Sequence, residues 1–113
     1  MDLILWRHAD AEDGAPGVSD LARPLTARGE RQATRVALWL HRQMSDGARV
    51  VVSPAERAQR TAAKLERKFT TEPKVGPEAD AQSLLDVSHW PDGRRTVLIV
   101  GHQPALGQLV ARI

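Results

Sequence analysis

The sequence predicts an α/β fold: a mostly parallel sheet in three layers, with helices on both faces. Three runs carry that expectation, LILW (3–6), RVVV (49–52) and TVLIV (96–100). Each is nearly continuous in Leu, Ile, Val or Trp rather than alternating with polar residues, the pattern of a parallel strand covered on both faces. Each also stops abruptly, on Arg7-His8, Ser53-Pro54 and Gly101-His102. Stretches of helical period separate the runs, as crossovers between parallel strands require.

The elements follow in order. LILW is the first strand, and what comes after it lies at the sheet's carboxyl edge, where open α/β proteins bind ligands. Thr26 is an N-cap, and Ala33, Val36, Ala37, Leu40 and Met44 then recur on one helical stripe. After RVVV, Ser53 and Glu56 match a capping box with Pro54 at the first helical position. The helix so opened runs toward Phe69 and turns Ala58, Ala62 and Leu65 inward. Residues 70–95 hold three of the seven prolines and read as irregular and partly exposed, with one short helix around 79–89. TVLIV is the third strand, and PALGQLVARI (104–113) reads as a helix. His41 and His89 have no motif around them and are expected as exposed helix residues.

The 113 residues fit a single domain over 1–113, a size that buries roughly 65% of the unfolded chain's surface. Hydrophobic residues at 42% and charged residues at 27% indicate neither disorder nor a membrane segment. No apolar run approaches the roughly 20 residues of a bilayer crossing. The chain begins on a strand pattern without a basic and apolar leader, so a cytoplasmic location is expected. The absence of cysteine excludes disulfides and thiolate metal sites. A net charge of +2 lacks the basic excess of a nucleic-acid binder, and Trp6, Trp39, Phe69 and Trp90 do not interleave with basic residues as a base-stacking platform would.

If the three strands are parallel neighbours, Arg7, His8, Arg57 and His102 converge above one edge. Four cation-capable groups repel one another unless an anion sits between them, and the planar fork of arginine suits phosphate or carboxylate. The helix opening at Ser53 adds a positive dipole end aimed the same way. Taken singly, each feature has a plainer explanation: a surface arginine and a satisfied histidine, a capped helix, a strand-ending turn. An oxygen and nitrogen metal site from His8, Asp10 and Glu12, alternating onto one side of an extended segment, is the competing reading. It is disfavoured because a dication would lie beside Arg7, Arg23 and Arg57.

The order R-H, S-P-x-x-R, G-H resembles the histidine phosphatase superfamily, and RPLTARG (23–29) makes the chain more similar to its phosphohistidine phosphatase (SixA) branch. The resemblance covers almost the whole chain and implies a phosphoglycerate mutase-like sheet. It implies that His8 is the nucleophile, His102 the second catalytic histidine, and Arg7 and Arg57 catalytic, with Arg7, Arg23, Arg57 and Ser53 binding substrate. No cofactor or metal is implied. The activity it implies is phosphohistidine phosphatase, acting on a phosphorylated histidine-containing protein through a covalent phosphohistidine, with no nucleic acid or membrane partner. A small-molecule phosphomonoesterase or mutase, and a non-catalytic phosphate-binding module, are the alternatives. Ester-cleaving members place a carboxylic acid between the S-P-x-x-R and G-H blocks, where Glu78 or Asp80 would serve. Two departures stand out. Ala9 replaces the usual glycine of R-H-G, so its backbone is expected to avoid positive φ. The chain is also expected to lack the family's C-terminal helix end and later strand, since it stops at Ile113.

Overall fold

Leu3–Arg7 (β1), Arg49–Val52 (β2), Thr70–Thr71 (β3) and Val97–Gly101 (β4) form one parallel sheet in the order β1-β4-β2-β3. This is seen in a computed structural model that describes residues 1–113. The strands pair in continuous register, from Leu3 opposite Val97 to Arg7 opposite Gly101, and from Arg49 opposite Val97 to Val52 opposite Val100.

Because successive strand side chains point to opposite faces, the apolar runs fill two cores at once. Val50, Val52, Leu98 and Val100 pack with Ala37 and Leu40 of α1 (Ala27–Gln43) and with Ala58 and Ala62 of α2 (Glu56–Ala63). Val51, Val97 and Ile99 pack on the other face, with Leu84 of α3 (Ala81–Ser88) and with Leu106 and Leu109 of α4 (Ala105–Arg112). The architecture is the expected three-layer α/β sheet. No helix is long and apolar enough to cross a membrane.

Helix α1 starts where its N-cap predicted, with the Thr26 hydroxyl accepting the Gly29 N–H at 2.9 Å. Its buried stripe is Ala33, Ala37 and Leu40, continued by Met44, whereas Val36 lies off that row and is exposed, contrary to expectation. Gly29 is required here. A Cβ on it would stand 2.0 Å from the Asp10 carbonyl oxygen, so only glycine lets the first turn of α1 lie against the loop after β1.

Helix α2 departs from the predicted capping box. Ser53 extends the ladder one bond past β2, its N–H donating to the Val100 carbonyl at 3.1 Å, and the helix opens only at Glu56. The Ser53 hydroxyl accepts from Ala55 N, and Glu56 turns to Arg60 at 2.7 Å, an i,i+4 ion pair. The helix also ends at Ala63, and Glu66 adopts a left-handed φ of 55° in the turn toward β3. Strand β3 lies within the segment expected to be irregular, and two residues are too few to show a period. Helix α3 is capped reciprocally by Asp80 and Ser83, and His89 closes it at φ 59° rather than continuing it.

Candidate active site

The sheet order builds the site. Strand β4 follows the edge strand β3 in sequence but inserts between β1 and β2, so the residue after β4, His102, falls between His8 after β1 and Ser53 after β2. The His8 N–H extends the ladder to the Gly101 carbonyl at 3.1 Å, holding the two strand ends together. Such an insertion is a topological switch point, where the strand ends leave a crevice.

His8 and His102 face each other with ring centroids 5.1 Å apart and planes tilted by 55°. His8 Nδ1 lies 2.7 Å from the Ala9 carbonyl oxygen. A carbonyl only accepts, so Nδ1 carries the proton and the lone pair of the neutral ring is on Nε2. Burial lowers the pKa of His8. The Ala9 bond opposes this, and the guanidinium groups of Arg57, Arg7 and Arg23 add to it. His102 is lowered further, to about 4, first by burial and then by Arg57 and His8. Both rings are therefore neutral near pH 7.

Ala9 is buried, and its N–H donates to the Thr61 hydroxyl at 3.0 Å, which in turn donates to the Arg57 carbonyl at 2.7 Å. Its φ is not positive, so alanine in place of the usual glycine imposes no strain. Arg57 is 4% exposed, and both its terminal nitrogens are held by Asp20: Nη1 by the carbonyl at 2.8 Å and Nη2 by the carboxylate at 3.1 Å. Its Nε has no partner. Arg23 grips the other carboxylate oxygen of Asp20 at 3.0 Å and the Glu12 carbonyl at 2.8 Å. Hydrogen bonding to Arg57 is the main cause that keeps Asp20 below the usual carboxylate range, so it is ionised.

These groups surround a cavity of about 600 Å³ walled by Arg7, His8, Arg23, Arg28, Arg57 and His102. Arg7, His8, Arg57 and His102 thus converge as the strand ends implied, and Arg23 joins them. Three expected site residues do not. Ser53 is fully buried behind the wall, its hydroxyl 2.7 Å from His102 Nε2, and does not face the cavity. Glu78 and Asp80 lie on a neighbouring hollow of about 530 Å³, and the Asp80 carboxylate is occupied in capping α3 through the Ser83 N–H at 2.8 Å. The His8, Asp10, Glu12 alternative is not assembled either. Asp10 accepts the Thr26 hydroxyl at 2.7 Å, and no three His, Asp or Glu side chains come together as a ligand set.

Sequence reading passed over Asp20, Thr61, Arg28 and Gln32. Asp20 and Arg23 have the i,i+3 spacing of an ion pair, which was the available signal. Thr61 sits on the inward row of α2 with Ala58 and Ala62, a polar residue where the pattern calls for an apolar one. Gln32 accepts the Asp10 N–H at 3.1 Å and, with Arg28, brings α1 to the cavity rim.

The model of the histidine phosphatase superfamily (branch 1) matches residues 3–83, the span from β1 through the S-P-x-x-R block to the start of α3. The chain belongs to the histidine phosphatase superfamily. Within it, the chain is 34% identical to a phosphohistidine phosphatase SixA homolog of Haemophilus influenzae, covering all of this chain and 77% of that protein. It is 32% identical to phosphohistidine phosphatase SixA of Escherichia coli, covering 74% of it. A solved structure of SixA complexed with tungstate superposes with a TM-score of 0.83 at 31% identity, over 98% of this chain and 75% of that one. A SixA-group structure from Nakamurella multipartitia gives 0.80 at 32%, over 95% of this chain, which spans 62% of its length.

Proposed function

We propose that the chain is a phosphohistidine phosphatase that removes the phosphoryl group from histidine in a protein, using His8 as nucleophile. The observation that carries this is the bond from His8 Nδ1–H to the Ala9 carbonyl, which leaves a bare Nε2 in an arginine-lined cavity. In the first step Nε2 attacks phosphorus while the P–N bond to the substrate's imidazole breaks. In the second, water attacks, the P–Nε2 bond breaks and inorganic phosphate leaves. Arg7, Arg57 and His102, which all line the cavity, stabilise the phosphoryl oxygens through both displacements. Arg23 adds a contact at the rim.

The leaving group follows from the carboxylates. An alkoxide needs a positioned acid, whereas a phosphohistidine protonated on its distal nitrogen releases neutral imidazole, whose conjugate acid has a pKa of roughly 6.5. Asp10 is bonded to Thr26, Asp20 is held ionised by two arginines, Asp80 caps a helix and Glu78 is exposed on the next hollow. That inventory favours phosphohistidine over phosphate esters. The SixA names of the relatives agree, and the tungstate bound to one of them is, like phosphate, a tetrahedral oxyanion.

Phosphate release should be measured from a phosphohistidine protein and from a panel of phosphomonoesters. A higher kcat/KM on the protein, unaffected by Glu78→Gln, is expected. Equal or better turnover of a small ester, lost on Glu78→Gln or Asp80→Asn, would move the assignment to phosphomonoesterase.

A further inference from the structure

The Ser53 hydroxyl lies in the wall behind the cavity, and its surroundings determine where its proton points. Its backbone is fixed at both ends, the N–H on the Val100 carbonyl at 3.1 Å and the carbonyl on Gln59 Nε2 at 2.8 Å. The hydroxyl oxygen accepts the Ala55 N–H at 3.1 Å and has one other neighbour, His102 Nε2 at 2.7 Å. Ser53 is 0% exposed, so water is not at hand for its proton. Were Nε2 protonated, the oxygen would accept two donors and its own hydrogen would be buried without an acceptor, an arrangement folded proteins avoid. With Nε2 bare, every group is paired.

We propose that Ser53 is a positioning residue that fixes His102 as the Nδ1–H tautomer, presenting an N–H donor to the phosphoryl group from an uncharged ring. Arg57 Nε is the one buried side-chain nitrogen without a partner. His102 Nδ1 has no protein partner either, so it is open to the cavity that its ring lines. The lowered pKa of His102 agrees with a neutral ring.

The two histidines then share one tautomer, each carrying its proton on Nδ1, but they are anchored through opposite nitrogens. His8 is held by its Nδ1–H and shows a lone pair, while His102 is held by its Nε2 lone pair and shows an N–H. One neutral ring attacks and the other donates. No further cation is added to a cavity already walled by Arg7, Arg23, Arg28 and Arg57.

The assignment of a phosphoryl ligand rests on the function proposed above, whereas the tautomer does not. Long-range ¹H–¹⁵N correlation spectra of the free, ¹⁵N-labelled protein at neutral pH should show His102 with a protonated Nδ1 and a bare Nε2. Ser53→Ala should shift His102 toward Nε2–H and lower kcat/KM about ten- to a hundredfold, the scale of loss when a reacting group is slightly misplaced. A protonated Nε2 on His102 in the wild-type protein would overturn the proposal, as would full activity in Ser53→Ala. If that variant does not fold, the wild-type spectrum decides alone. A protein with the Nδ1–H form but no activity on phosphohistidine would refute the substrate and leave the role of Ser53 standing.

Discussion

Replacing Thr61 by valine keeps the shape of a fully buried side chain and removes its hydroxyl. Two hydrogen bonds go with it: the one accepted from the Ala9 N–H at 3.0 Å and the one donated to the Arg57 carbonyl at 2.7 Å. The carbonyl keeps its place in the ladder of α2, so the larger loss is the buried Ala9 N–H, left without an acceptor. That costs about 1–3 kcal/mol. With an unfolding entropy of about 2.1 cal/mol/K per residue, the unfolding midpoint of a chain of 113 residues falls by about 4–13 °C. The Ala9 carbonyl also holds the ring of His8, so kcat/KM should drop at least about tenfold. Thr61→Ser is the control, since it retains the hydroxyl and loses only a buried methyl worth about 1 kcal/mol. Thermal unfolding followed by circular dichroism, with kcat/KM on a phosphohistidine protein, reads both effects. A Thr61→Val protein with wild-type midpoint and activity would refute the role of this bond.

Three other outcomes are expected. Because His8 and His102 both titrate below the ordinary 6.5 when folded, the unfolded chain binds protons that the native one does not, and stability is lost as pH falls below that value. His102, with a pKa of about 4, contributes ~3 kcal/mol of that loss by pH 4, so urea midpoints independent of pH between 7 and 4.5 would contradict neutral buried rings. Asp20→Asn weakens the anchor that orients Arg57 and Arg23, and kcat/KM should fall about tenfold; unchanged kinetics would show that the arginines need no such support. EDTA treatment should leave turnover intact, since four guanidinium groups wall the cavity and disfavour a dication there, and a loss restored by Mg²⁺, Mn²⁺ or Zn²⁺ would oppose this.

The sheet and the convergence of Arg7, His8, Arg57 and His102 were legible because apolar runs ending on polar residues mark the carboxyl edge of parallel strands. What sequence missed depends on contacts between distant segments. Thr61 meets Ala9 across 52 residues, and Asp20 meets Arg57 across 37. Ser53 was recognised as a polar strand end, but a capping box at 53–56 and a strand-end serine turned toward His102 look alike until the β2–β4 register is known. Asp80 was a candidate acid by position alone, and the cap it forms on α3 is local chemistry with Ser83. Val36 illustrates the limit of a helical stripe, whose period gives its centre better than its edges.

Rapid quenching under non-acidic conditions during turnover of a phosphorus-32-labelled phosphohistidine protein, followed by peptide mapping, tests most directly whether His8 is the nucleophile. Label should be found on Nε2 of His8, because Nδ1 is committed to the Ala9 carbonyl, and His8→Ala should carry no label and lose several orders of magnitude in rate. Label on a carboxylate or a serine, or on His102 with His8→Ala still active, would contradict it.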